Sequence, residues 1–531
     1  MEPNPVSSST TGTLLSRRLV MLEVALVAIL LGLGILLTWP AMQDDALIHL
    51  RYANSLLHFH RISYDGAQAN FGDSSLLYVA VLALFRSVVP SPLLPRFVAS
   101  VSHVLLFAGV IFILRRISRD KDDFARLFAL ILLLLLALPS SIRWLDDGME
   151  TPLVLIVTVV IAMAVLRYQH ITNMRWTAAL KVALLSFLAV LLRIELMLLL
   201  AVASLLSILA HRPPQPGGYR AKANLLFPMF CLCGVILAVV LIFVSTGHLL
   251  PDTAVAKSFG LHAWRGTLAM SAETFASSLG FGMGLLLLWL LSFAAQILFS
   301  PSLVSVLVAN SLFPITLLLA TLRGQAIQGI RYFAWTFLFS ILWNIFTLPS
   351  VSRYRRAFKF SGYALIVVLV FSIPVETYLL VHAFNARIGA LNQFRHQNLE
   401  RLNQLPAVAF DVGDIGYFTG ASICDMAGLV NGRSNAELTY DQRVVRCASQ
   451  NPQFAFLNPP QLVDFSTHFD LSNWSVCSVY NLANLRSSDL HYLIASPVVA
   501  GQVCAAANAT PQPLEPILAQ YPGSHLSGRV Y

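Results

Sequence analysis

Two adjacent carboxylates, Asp44 and Asp45, stand directly after an apolar run from Leu19 to Trp39. Side by side where lipid meets water, two acids can take a proton from a hydroxyl or hold a divalent ion. The plainer reading is a helix cap, since aspartate is favoured at N-caps, but a cap needs one carboxylate. Ala46, Leu47, Leu50, Ala53 and Leu57 follow at helical spacing. That pattern predicts an amphipathic helix lying along an interface, starting at the aspartates.

Further ionisable residues recur at the ends of apolar runs. Asp146, Asp147 and Glu150 precede Thr151-Pro152, a pair that reads as N-cap and first helical residue. Arg193 and Glu195 interrupt the apolar stretch from Ala178 to Leu209. Charges there are costly unless they pair or face a polar cavity, and the plainer alternative is a break between two short helices with Arg193 reaching outward. His248, Asp252 and Lys257 follow the run from Leu225 to Val244, and Arg331-Tyr332 precedes Phe333 to Pro349. Lys257 and Arg331 carry the donors that a lipid phosphate at an interface requires; interface anchors also use Lys, Arg and Tyr. His248 reads more simply as a hydrogen-bonded structural residue.

The elements that hold these residues are set by lipid. Of 531 residues, 57% are hydrophobic and 11% charged, against roughly 25% charged in soluble domains. Eleven runs qualify as membrane helices: Leu19 to Trp39, Phe97 to Leu114, Leu127 to Leu138, Leu153 to Leu166, Ala178 to Leu192, Leu196 to Leu209, Leu225 to Val244, Phe281 to Phe299, Leu303 to Leu322, Phe333 to Pro349 and Tyr363 to Phe384. A twelfth, Leu76 to Val89, is short for a crossing and reads as re-entrant or interfacial. The first run follows Arg17 and Arg18 and is longer than a signal-peptide core, which makes it a retained anchor.

The formal charge of +9 is not a nucleic-acid signal, because residues 385 to 531 hold 8 Arg against 10 Asp plus Glu, a net of −2. The excess lies in short loops: Arg115, Arg116, Arg119 and Lys121; Arg167 and Arg175; Arg212, Arg220 and Lys222; Arg353, Arg355, Arg356 and Lys359. Short basic loops mark the cytoplasmic side. The N-terminus is then cytoplasmic, and the acids and cations above share the outer face of a plasma (inner) membrane with the C-terminal region.

Residues 1–384 are thus expected to form a membrane module with a catalytic first outer loop at 40–75. Residues 385–531 are expected to form an extracytoplasmic α/β domain, because strand-like runs such as Ala407 to Phe410 and Ser422 to Asp425 alternate with Gly turns and helical stretches. Cys231 and Cys233 fall in an apolar helix and read as packing residues. Cys424, Cys447, Cys477 and Cys504 lie in the outer domain, where disulfides persist, with three connectivities open. Asn473-Trp474-Ser475 and Asn508-Ala509-Thr510 match the glycosylation acceptor pattern.

Taken in order, the motifs resemble those of the GT-C membrane glycosyltransferases that use polyprenyl-phosphate sugars, and among them the mycobacterial arabinofuranosyltransferase group. The resemblance rests on Asp44-Asp45 with Arg51-Tyr52-Ala53, Gly148 to Pro152, Arg193-Ile194-Glu195, Leu250 to Thr253 with Lys257, Arg331-Tyr332, Gly413 to Tyr417 and Asp425 to Leu429. It implies inverting transfer of a single sugar, with arabinofuranose suggested, from a polyprenyl-phosphate donor to a glycan, lipid or protein hydroxyl. The base would be Asp44, supported by Asp45, and the phosphate contacts Lys257, Arg331 and Arg193. Asp146, Asp147, Glu150, Glu195, His248 and Asp252 are second-site candidates. No cofactor is required, although two carboxylates are compatible with a divalent metal. A flippase of lipid-linked sugars predicts repeated halves and mid-membrane polar residues, which the sequence lacks; a lipid-linked oligosaccharide ligase shares the cationic cleft.

Overall fold

A computed structural model describes residues 10–66, 69–120, 123–168, 175–209, 221–258, 263–277, 280–300, 302–325, 329–348, 355–482 and 490–521. Lys121, Arg212, Arg220 and Arg353 of the basic loops lie outside the described residues, as do the side chains of Arg116, Arg119, Lys222, Arg355 and Arg356.

Among the described residues, each apolar run is helical over most of its length. The helical order before the sheet domain is α1 (Thr10–Leu37), α2 (Asp44–Phe59), α3 (Leu76–Arg86), α4 (Leu94–Asp120), α5 (Asp123–Ala137), α6 (Pro139–Leu145), α7 (Thr151–Tyr168), α8 (Trp176–Leu192), α9 (Leu196–Leu209), α10 (Ala221–Thr246), α11 (Asp252–Ala256), α12 (Trp264–Ser277), α13 (Phe281–Phe299), α14 (Leu303–Asn310), α15 (Leu312–Arg323), α16 (Ala334–Thr347) and α17 (Arg355–His396). Among the described residues, five segments are long and apolar enough to cross a bilayer, or seven if two bent pairs each count as one span. The breaks have local causes. Pro139 has no N–H to continue α5, and the chain turns by 67° into α6. Pro314 sits in the first turn of α15, which leaves α14 at 43°. Arg193 is extended, so α8 stops there and α9 restarts at Leu196.

Leu22, Leu26, Ile29 and Leu33 on α1, Leu232, Ile236 and Val240 on α10, and Val367 and Phe371 on α17 turn outward and are exposed. Apolar surface on this scale suits a hydrocarbon solvent rather than water. Inside, α16 is buried on nearly all sides and packs Phe333 and Phe337 against Phe275, Trp289 and Phe313. Helix α3, of 11 residues, reaches only about 16 Å at helical rise, well short of a crossing.

Helix α17 is a 42-residue rod that leaves the apolar region and carries the chain into a sheet domain. The sheet is ordered β2-β1-β3-β5-β4-β6, from β1 (Ala407–Ala409), β2 (Ile423–Asp425), β3 (Phe454–Leu457), β4 (Ser475–Asn481), β5 (Leu490–Ala495) and β6 (Gln512–Pro513). Strands β2, β1 and β3 are parallel, with Ala407 opposite both Ile423 and Phe454; β5, β4 and β6 add antiparallel. Parallel neighbours require helical crossovers, supplied by α18 (Val412–Thr419), then α19 (Arg433–Ala436) and α20 (Tyr440–Ser449). Helices α21 (Pro459–Ser466), α22 (Ala500–Ala506) and α23 (Glu515–Leu518) complete the domain. Cys424 of β2 bonds Cys447 of α20, and Cys477 of β4 bonds Cys504 of α22, one of the three connectivities open to the sequence. In α10, Cys231 is a buried free thiol and Cys233 an exposed one.

Candidate active site

The aspartate pair opens α2, as its spacing predicts, but the two side chains part. Successive helical residues point about 100° apart. Asp44 turns to the sheet domain, where its carboxylate accepts the backbone N–H of Gly413 at 2.9 Å and of Asp414 at 2.6 Å. These amides belong to the first turn of α18, whose own N-cap, Asp411, makes no side-chain cap bond. Asp44 therefore caps a helix, though not its own, and meets the positive end of its dipole. Arg387 of α17 pairs with Asp414 and donates to the Met42 carbonyl at 2.6 Å. Burial, with Asp414 and Asp411 nearby, pushes the Asp44 carboxyl well above its ordinary range, against the pull of Arg387 and the Asp414 amide.

Close approach of α18 to α2 requires glycine at two positions. A Cβ on Gly413 would lie 2.0 Å from the Asp44 carbonyl oxygen, and one on Gly416 would lie 1.8 Å from the Tyr64 hydroxyl. Arg51 donates to the Gly416 and Ala421 carbonyls at 2.5 and 2.9 Å, and Tyr64 to the Val412 carbonyl at 2.5 Å. The Gly413-to-Tyr417 motif is thus a docking helix. The other C-terminal motif is a loop: the buried Asp425 carboxylate accepts the N–H groups of Ala427, Gly428, Leu429 and Val430, which sets Leu429 at the edge of a cavity.

Asp45 faces that cavity, and Asp44 is not among its lining residues. The walls bring Asp45 of α2 together with Glu150 before α7, Arg193 and Glu195 between α8 and α9, Lys257 after α11, and Arg331 and Tyr332 before α16. Arg331 is 5% exposed; its guanidinium donates to Asp45 at 2.9 Å and to the Gln43 side chain at 3.1 Å. Burial would raise the Asp45 carboxyl, yet Lys257 and Arg331 hold it below its ordinary range. Arg193 points inward and is buried, contrary to an outward-reaching anchor. It lies 3.5 Å from Glu150 and 3.6 Å from Glu195, with its guanidinium over the Tyr332 ring.

The remaining sequence candidates lie outside the lining. Asp147 sits beneath α2: its carbonyl accepts from Gln43 N–H at 2.9 Å and its carboxylate from Met149 N–H at 3.0 Å. Burial pushes its carboxyl up to about 7. Asp146 pairs with His103 of α4 at 2.7 Å. Asp252 binds the Phe71 N–H at 3.2 Å and lies 3.2 Å from Arg433 of α19, tying the first loop to the sheet domain. His248 is half-buried, its N–H bonded to Thr246 at 3.2 Å.

Sequence reasoning passed over His49 and Asp73. His49 stands four residues after Asp45, hence on the same face of α2, and lines the cavity with Asp73. Its Nδ1 is 2.5 Å from Asp73 and its Nε2 is 3.3 Å from Glu150. Burial is outweighed by these two carboxylates, which raise the imidazole to about 10. Arg193 and His49 in turn hold Glu150 below its ordinary range despite burial. The helical spacing from Asp45 was the available signal.

Among the described residues no group of three His, Cys, Asp or Glu side chains could hold a metal ion. Asp45, the only carboxylate of the pair at the cavity, already answers Arg331.

The architecture is a helical membrane core topped by a C-terminal sheet domain, with a charged cavity near their junction. The fold is shared with ArnT from Cupriavidus metallidurans bound to undecaprenyl phosphate, at a TM-score of 0.53 and 13% identity over 93% of this chain and 99% of that one. The apo oligosaccharyltransferase of Archaeoglobus fulgidus is more distant, with a TM-score of 0.45 and 11% identity over 85% of this chain and 73% of that one. No protein-family model and no curated protein matches the sequence.

Proposed function

We propose that the chain is an inverting glycosyltransferase that moves a single sugar from a polyprenyl-phosphate donor to an acceptor hydroxyl on the extracytoplasmic side. The observation that carries this reading is Asp45 lining one cavity with Arg331, Lys257 and Arg193, and paired with Arg331 at 2.9 Å. Asp45 replaces Asp44 as the base, because Asp44 is committed to the amides of α18. Asp45 accepts the acceptor's proton as the hydroxyl oxygen bonds to the anomeric carbon and the bond from that carbon to the phosphate oxygen breaks. Polyprenyl phosphate departs as an anion that needs no proton, stabilised by the three cations.

At rest Arg331 is paired with Asp45. A donor phosphate competes for that guanidinium and for Lys257, so donor binding releases the carboxylate and raises its proton affinity when a base is needed. The isoprenoid tail lies along the exposed apolar helices, and the sheet domain positions the acceptor. Arabinofuranose as the sugar rests on the order of motifs, and the outward orientation on the basic loops. The test is transfer from a polyprenyl-phosphate arabinofuranose to glycan acceptors in membranes carrying the full chain. Turnover lost in Asp45→Asn and kept in the wild type is expected; an equally active Asp45→Asn variant would overturn the assignment.

A further inference from the structure

The cavity contains an acid that the proposed transfer does not use. Glu150 is 2% exposed and lies within 3.5 Å of Arg193, one of the cations offered to the phosphate. A buried carboxylate in that position cancels the positive field unless something answers it. His49 does: its imidazole bridges Asp73 at 2.5 Å and Glu150 at 3.3 Å, edge-on to Tyr78.

The supports close into a ring. Asp73 also accepts the Ser75 N–H at 2.7 Å, and the Ser75 hydroxyl donates to the Leu192 carbonyl at 2.7 Å, one residue before Arg193. Helix α2, the loop at 73–75, the end of α8 and the start of α7 are thus joined through His49, with Arg193 on the cavity side.

We propose that His49 is a positioning residue: its imidazolium, held by Asp73, offsets part of the charge of Glu150 and so leaves more of the charge of Arg193 available to the donor phosphate. This rests on the donor assigned above. Two carboxylates flank the ring, one on each nitrogen, so its single charge is shared between Asp73 and Glu150 and offsets part of each. Without it, the cation left beside Glu150 would be Arg193, which Glu195 already engages at 3.6 Å, and that guanidinium would be drawn further from the phosphate.

The experiment measures binding of undecaprenyl phosphate to the full chain in nanodiscs. His49→Gln should weaken binding about tenfold, while Glu150→Gln restores it: the double variant His49→Gln/Glu150→Gln should bind within about threefold of Glu150→Gln alone. Such non-additivity marks action of one residue through the other, whereas general damage to the fold would persist in the double variant. Unchanged binding by His49→Gln, or a tenfold loss that survives in the double variant, would overturn the role. Should His49→Gln not be recovered folded, Asp73→Asn reads the same ring from its other end and should weaken binding severalfold; no effect there counts equally against it. A wild-type protein that fails to bind undecaprenyl phosphate would instead overturn the donor assignment and this inference with it.

Discussion

Asp45 and Arg331 meet at 2.9 Å although 286 residues separate them in the chain. The contact joins the start of α2 to the segment before α16 and places a carboxylate and a guanidinium in one cavity.

From that pairing, the two aspartates should differ sharply in effect. Asp45→Asn removes the proposed proton acceptor and should lower turnover by ~10²–10⁴-fold with little loss of folded protein. Asp44→Asn keeps one acceptor for the α18 amides and should lower turnover far less. Parallel turnover and thermal-stability assays check this, and the reverse ranking would restore Asp44 as the base.

Arg331 offers a planar fork shared between Asp45 and Gln43. Arg331→Lys keeps the charge and loses the fork, so a fall of roughly 10-fold in kcat/KM is expected, and roughly 10²–10³-fold for Arg331→Met. Lys257→Met should act mainly on the KM for donor. Steady-state kinetics with varied donor separate the two.

Stability should fall as pH rises. Asp147 is pushed up to about 7 by burial, against about 3.9 in an unfolded chain. Between those values the folded protein holds a proton that the unfolded chain has released. Its contribution is fully present below about pH 4 and is lost as pH rises through 7. Melting temperatures measured from pH 5 to 8 should decline, and Asp147→Asn should flatten the profile.

Gly413→Ala tests the docking of α18. The added Cβ would come 2.0 Å from the Asp44 carbonyl oxygen, a clash with backbone that no rotamer relieves. The expected cost is about 1–3 kcal/mol, read as faster proteolysis of the sheet domain and reduced turnover. Wild-type protease resistance in this variant would contradict the contact.

Much of the scaffold was legible in the sequence because lipid enforces a visible rule. Each lipid-facing helix must be apolar along its length, so the apolar runs stand out as helices, and Pro139 and Arg193 mark where helices stop. How many of the eleven runs cross was not legible, since among the described residues five segments are long and apolar enough, or seven with the bent pairs. The placement of Asp44-Asp45 at the head of an amphipathic helix was equally plain, as were strand-like runs at Ala407 and Ile423. The motif Gly413 to Tyr417 was visible as a pattern, but its role in docking was not, since a glycine that permits close approach looks like any other until its neighbour is known.

Tertiary packing decided the rest. Adjacent aspartates are equivalent in a string of letters; helical rotation sends Asp44 to the amides of α18 and Asp45 to Arg331. Four cysteines left three pairings, and only the sheet brings Cys424 to Cys447 and Cys477 to Cys504. His49 drew no attention because its partners, Asp73 and Glu150, lie 24 and 101 positions away. The sequence by itself determines which segments lipid will accept and which residue types gather at their ends. Ion pairs act over a few ångströms between distant segments, so which acid meets which cation is settled by how the helices pack.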